Sequence, residues 1–194
     1  LGYMYREGVG VQRDYARSLD YYRRGAELGD LNSMGSMGFA LQNGLGTPVN
    51  FEEARDWYQK GAERNDAYCM ASLAWLYENG KGVKQDYQQA KSWYEKAAEG
   101  GNAYAMGNLS YLYDHGMGTR QDAREAARFA ISSMEGGETP FINDMKNGAK
   151  NFSPEFRQEV QRLLRERGYY NGPIDGDFGA GMSIAIDKLT GSRT

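Results

Sequence analysis

The sequence has one cysteine, one histidine and four prolines in 194 residues, and no apolar run long enough to span a bilayer. A lone cysteine excludes an intrachain disulfide. One Cys and one His cannot assemble the nitrogen and sulfur ligands of a zinc centre. A thiol nucleophile at Cys69 would have only His115 to serve as its base. Charge of either sign is scarce in excess: 23 basic residues face 26 acidic ones, a net charge of −3. That balance gives no electrostatic footprint for nucleic acid or for an anionic membrane surface. No signal-peptide pattern opens the chain. These scarcities point away from metal, cofactor and nucleic-acid chemistry, and from membrane insertion of this stretch.

What is abundant is glycine, with 26 residues, and tyrosine, with 15. The glycines recur in order. Gly-x-Gly stands at Gly8/Gly10, Gly44/Gly46, Gly80/Gly82 and Gly116/Gly118, each step being 36 residues. Tyr21-Tyr22, Trp57-Tyr58 and Trp93-Tyr94 keep the same step, with Phe129-Ala130 as a weaker fourth member. Ala26, Ala62 and Ala98 align, as do Asp14, Asn50, Asp86 and Asp122. Several independent columns at one period predict stacked supersecondary units.

Each unit reads as two helices. In the third, Cys69, Leu73 and Tyr77 lie four apart on one face of a first helix. Gly80 ends it, because glycine readily takes the left-handed conformation of a helix C-cap. Asp86 then opens a second helix as N-cap, with Gln89 three residues on. That helix is expected to bury Ala90, Trp93, Tyr94 and Ala97. The predicted fold is therefore all-α: an α/α-solenoid of about four 36-residue helix–loop–helix repeats over residues 1–138, followed by a small helical domain over 139–194.

The third unit resembles a Sel1-like repeat, a relative of the tetratricopeptide repeat with a longer loop. Leu73, Tyr77, Gly80, Gly82, Val83, Asp86, Ala90, Trp93, Tyr94, Ala97, Ala98 and Gly101 carry the resemblance. The second unit departs from it at Asn50 and Phe51, and the fourth lacks the Trp-Tyr pair. The resemblance implies a non-enzymatic adaptor presenting a concave surface to a protein or peptide partner, with no shared active site and no cofactor. Leu1 aligns with Met37, Leu73 and Leu109 in mid-helix, which predicts a truncated first repeat from a larger bacterial protein. A regulatory tail following an upstream catalytic domain is an alternative on the same ground.

Beyond Gly136-Gly137, Ser153-Pro154-Glu155 predicts a helix start: an N-cap, a first-turn proline and an acid at the positive helix end. That helix is expected to bury Phe156, Val160 and Leu163 or Leu164. A glycine-rich loop over 168–181 leads to a last helix holding Ile184, Ala185 and Ile186. Val160-Gln161, Leu164, Gly168-Tyr169-Tyr170, Gly172-Pro173-Ile174-Asp175-Gly176 and Phe178-Gly179 resemble a small peptidoglycan-binding domain of bacterial envelope proteins. Met182 and Thr190 depart from that family's pattern. The resemblance implies a wall-binding loop of Tyr169, Tyr170, Asp175 and Phe178, peptidoglycan as a second partner, and a periplasmic or envelope location, with the cytoplasm as the alternative.

Two further residues have plainer readings. Cys69 shares its column with Ser33 and Ala105, a small core slot, and His115 shares its column with Asn43 and Asn79, a capping or surface position. The Gly-x-Gly pairs follow helices and lack the Gly-Lys-Ser/Thr of a phosphate loop. Alternating Asp175 and Asp177 suit turn formation better than calcium. Another aromatic column, Tyr3, Phe39, Trp75 and Tyr111, lies about 200° around the helix from the buried stripe. Tyr68, Ser72, Tyr104 and Asn108 share that face at helical spacing, and the candidate partner-binding residues are Phe39, Tyr68, Ser72, Trp75, Tyr104, Asn108 and Tyr111.

Overall fold

The computed structural model describes residues 1–191. Among them are eleven α-helices and no strand: α1 Gly2–Glu7, α2 Tyr15–Glu27, α3 Leu31–Asn43, α4 Phe51–Ala62, α5 Ala67–Asn79, α6 Tyr87–Glu99, α7 Ala103–His115, α8 Ala123–Glu135, α9 Thr139–Lys146, α10 Pro154–Glu166 and α11 Ala180–Thr190. The chain divides into two compact units, Leu1–Trp93 and Tyr94–Thr194, with α6 shared between them. The boundary expected at residue 138 falls inside the second unit.

Local chemistry sets the helix ends. The carboxylate or amide of Asp14, Asn50 and Asp122 accepts a hydrogen bond from a first-turn backbone N–H, and Asp86 accepts from the N–H of Gln88 and of Gln89. A second capping column went unread in the sequence: Asp30, Asp66 and Asn102 cap α3, α5 and α7 in the same way. At the other end Gly80 takes φ 63°, and its N–H donates to the Leu76 carbonyl. Its neighbour Gly82 has a different task. A Cβ there would come within 2.5 Å of the Phe51 backbone, so the loop lies directly on the start of α4. Arg55 Nη1 holds it there by donating to the Gly82 carbonyl at 3.1 Å.

In the first unit, successive helices pack pairwise from α1 to α5. Tyrosine against glycine governs the contact within a repeat. A Cβ on Gly2 would meet the Tyr22 ring at 2.7 Å, and one on Gly38 would meet the Tyr58 ring at 2.5 Å. Tyr58 is 1% exposed, and its hydroxyl donates to Gln42 Oε1 at 3.2 Å, so the buried polar end is satisfied. Between repeats, Gly25 admits Ser33 and Gly61 admits Cys69. Cys69 is fully buried there, and burial drives its thiol pKa upward. Leu73 is buried as expected and Leu76 joins it, whereas Tyr77 and Trp93 are only half-buried.

The second unit is built around α8. The helices α7, α9, α10 and α11 all pack on it. One core runs from Ala126, Ala130, Ile131 and Met134 through Met145, Phe152, Phe156, Val160 and Leu164 to Tyr170, Phe178, Met182 and Ile186. In the last helix Ala185 and Ile186 are buried and Ile184 is 50% exposed. Asp114, at 1% side-chain exposure, accepts hydrogen bonds from Ser153 N–H at 2.8 Å and from the Ser153 hydroxyl, tying the end of α7 to the start of α10. Lys146 of α9 pairs with Asp187 of α11. The C-terminal helices therefore share the apolar core of the fourth repeat.

The 36-residue step also outlasts the recognised repeats. The helices α3, α5, α7 and α9 begin at Leu31, Ala67, Ala103 and Thr139, one step apart each time. Phe141 of α9 lies against Gly107, where an added Cβ would meet its ring at 3.0 Å, much as Tyr68 lies against Gly35. So α9 has the phase of a fifth first helix. The helix after it breaks the period, since α10 starts at Pro154 and the step from Ala123 would give residue 159.

Three outcomes follow from this packing. Gly82→Ala adds a clash with the α4 backbone to a left-handed strain of about 1–2 kcal/mol. Gly101→Ala, at φ 81° with nothing within 4 Å, carries the strain alone. In urea unfolding, Gly82→Ala is expected to be the more destabilising of the two. Phe156→Ala is expected to cost about 3–5 kcal/mol and to lower hydrogen-exchange protection in α8 as well as in α10. Protection of α8 that stays unchanged would mean two separate cores. Cys69 in the native protein is expected to resist a disulfide reagent at pH 8, because its raised pKa keeps the buried thiol protonated, and to react once urea unfolds the chain.

Candidate binding surface

The first helix of each repeat buries one stripe and leaves another on a separate face. The exposed stripe begins with Tyr3, 57% exposed, and continues with Phe39, Trp75 and Tyr111, each half-buried. None of these rings is in the core. Two turns earlier on their helices, Tyr68 and Tyr104 are 46% and 39% exposed. Ser72 and Asn108 are half-buried between the rings. Asn43, Asn79 and His115 cap from within the helix: the two amides donate to the Phe39 and Trp75 carbonyls, and His115 Nδ1 lies 3.0 Å from the Tyr111 carbonyl.

In the first unit this face forms a cleft of about 240 Å³, lined by Arg6, Asn32, Gly35, Ser36, Phe39 and Tyr68 among others. The Arg6 guanidinium stands 5.9 Å from the centre of the Phe39 ring and 5.4 Å from that of Tyr3. The Tyr68 ring meets Tyr58 edge-on at 6.3 Å, which ties an exposed ring to the core. Tyr58 and Tyr68 both have hydroxyl pKa values raised by burial, so neither is a base near neutral pH.

In the second unit the corresponding cleft holds about 250 Å³ between α7 and α9, with Tyr104, Asn108, Tyr111, Phe141, Asp144 and Phe152 in its walls. Tyr111 stacks on His115 at 4.0 Å and meets Phe152 edge-on at 6.0 Å. Phe152 in turn stacks on the core residue Phe156 at 4.2 Å. The rings are thus fixed from behind. Sequence reasoning found the α7 half of this cleft. It missed the α9 half because the repeat pattern had faded, though the N-cap column 30, 66, 102 and 138 would have carried it through.

The wall-binding loop expected from the C-terminal resemblance is placed differently. Tyr170 and Phe178 are each 6% exposed and belong to the core, and Tyr169 packs partly against it. Asp175 is exposed, but its carboxylate accepts from Gln161 Nε2 at 3.0 Å and from the Asp177 N–H at 2.9 Å. Those bonds hold its pKa below the usual carboxylate range, Gln161 contributing most. Buried Gln161 also accepts from the Gly176 N–H at 2.8 Å and donates to the Asp177 carbonyl at 2.9 Å. The loop is organised around that glutamine, and the two buried rings present no surface to a ligand. Among the described residues no group of three His, Cys, Asp or Glu side chains could hold a metal, and no helix is long and apolar enough to cross a membrane.

The Sel1 repeat family model matches residues 1–30, 32–66, 67–102 and 103–137. The matched residues end at 137, before the segment that resembles a peptidoglycan-binding domain, and no curated protein matches the chain. Among solved structures, a Sel1 repeat protein from Oxalobacter formigenes aligns with a TM-score of 0.68 at 25% identity, over 100% of this chain and 71% of that one. The protective antigen c5321 of uropathogenic Escherichia coli, which displays an SLR fold, aligns at 0.67 and 26% identity over 98% of this chain and 44% of its own. Helicobacter pylori cysteine rich protein B shares the fold at a TM-score of 0.54 and 23% identity, over 68% of this chain and 94% of that one. With four matched repeats covering most of its length, the chain belongs to the Sel1 repeat family, an all-α repeat fold of protein–protein interaction scaffolds.

Proposed function

We propose that this chain is a non-catalytic adaptor that binds a protein or peptide partner along the face of its first helices. The observation that carries the reading is the recurrence of accessible rings on that face, Phe39, Tyr68, Trp75, Tyr104 and Tyr111, beside Ser72 and Asn108. Fixed aromatic rings with small polar neighbours bury large area at low entropic cost, the composition of interface hot spots. Each cleft, at about 240 or 250 Å³, admits side chains of a partner.

The non-catalytic part rests on the chemistry of the candidate nucleophile and base. Cys69 is sealed in the core with its thiol held protonated, and His115 is stacked on Tyr111. Peptidoglycan is left out of the proposal because Tyr170 and Phe178 are core residues. An envelope location loses its main support with that loop.

Selection of linear peptides displayed on phage against the whole chain tests the reading. Trp75→Ala is expected to weaken the selected peptides by about 2 kcal/mol, roughly 30-fold, as a hot-spot ring does. Its urea midpoint should move little. Unchanged peptide affinity combined with a stability loss of about 3–5 kcal/mol would show that the ring serves packing instead.

A further inference from the structure

The cleft between α7 and α9 carries negative charge that none of the described residues pairs with. Its lining includes the carboxylates of Glu138 and Asp144 and no lysine or arginine. Neither side chain enters a hydrogen bond or an ion pair among the described residues. The fold explains how Glu138 comes to be available. It occupies the N-cap position at which Asp30, Asp66 and Asn102 each hold a backbone N–H, yet it makes no such bond to α9. A glutamate is too long for the short capping geometry, so its carboxylate remains at the cleft. Asp144 sits one repeat step after Asn108 and two after Ser72, so charge replaces neutral polarity in that column. Burial alone raises the Asp144 pKa, as expected of an acid with no counter-charge beside it.

The four rings around these carboxylates are Tyr104, Tyr111, Phe141 and Phe152. Ring faces attract a cation, and nearby carboxylates add to the attraction. The first unit already uses this chemistry on itself. Phe39, two repeat steps before Tyr111, receives the Arg6 guanidinium of the same chain. At Tyr111, among the described residues, no lysine or arginine lines the cleft to take that place. The volume of about 250 Å³ is small for a drug-sized ligand. It suits one long side chain.

We propose that the α7–α9 cleft binds an arginine or lysine side chain of the protein partner, with the rings taking its stem and Glu138 and Asp144 its charge. This rests on the partner-binding reading and adds a chemical class to it: a basic peptide segment.

The test is a titration of the uniformly ¹⁵N-labelled chain with N-acetyl-arginine methylamide, alongside its neutral citrulline analogue and the leucine analogue. Arginine is expected to give saturable shifts at the amides of Asn108, Asp144 and Asn151. Citrulline and leucine should bind at least fivefold more weakly, and Glu138→Gln with Asp144→Asn should weaken arginine at least tenfold. Neither carboxylate has a side-chain partner among the described residues, so that double variant should keep the wild-type circular dichroism. Citrulline or leucine saturating the same amides as well as arginine would overturn the proposal, as would arginine shifts scattered over other acidic surface. Phage-selected peptides separate the two readings. Peptides weakened by Trp75→Ala but indifferent to the double charge variant would leave the partner surface standing and overturn the basic specificity.

Discussion

In the first unit a tyrosine ring lies where the facing helix has no side chain, Tyr22 over Gly2 and Tyr58 over Gly38. Much else depends on that interlock. It draws the two helices of a repeat together, and it buries a large aromatic area without leaving a void. The column then trades size between partners. In the next repeat the glycine position of the column holds Ala74, and where the tyrosine column falls to Ala130 it holds Ser110. Ser110 is fully buried with its hydroxyl unpaired, so the exchange fills volume at the cost of an unmet hydrogen bond.

A helix committed on one stripe to this interlock must leave its other stripe elsewhere. Phe39, Trp75 and Tyr111 are accordingly neither buried nor bare, and Phe39 has the Arg6 guanidinium beside its ring. His115 and Phe152 support Tyr111 from behind. Such rings lose little freedom when a partner arrives, which makes them economical contact surface. The same arrangement holds the Asp114–Ser153 contact close to Tyr111, so the last repeat and the helices after it are joined beside the cleft they line.

The fold was legible wherever one residue type answers one local demand. Gly80 needs a left-handed φ and Asp86 needs to cap a helix, and both recur at 36 residues. The aromatic face was legible because Phe39, Trp75 and Tyr111 keep the step outside the buried columns. Trp93 was placed in the core because it stands beside Tyr94, yet adjacent helical positions differ by about 100° and only one can point inward. The continuation into α9 was hidden because the Gly-x-Gly pair due at 152 and 154 is replaced by Phe152 and Pro154. The C-terminal loop was read by motif alone. Tyr170 and Phe178 resembled ligand contacts by motif, whereas their burial follows from Gln161 gathering the loop inward.

The proposed function divides labour among the tyrosines, Tyr58 and Tyr94 packing in the core and Tyr68, Tyr104 and Tyr111 meeting the partner. Hydroxyl-radical footprinting of the whole chain, with and without a selected peptide, measures it most directly. The account predicts strong oxidation at Tyr68 and Tyr104, intermediate oxidation at Tyr111 and protection at Tyr58 and Tyr94, with the peptide then shielding members of the first group. Oxidation of Tyr104 and Tyr111 as low as that of Tyr94, or peptide shielding confined to other surfaces, would contradict it.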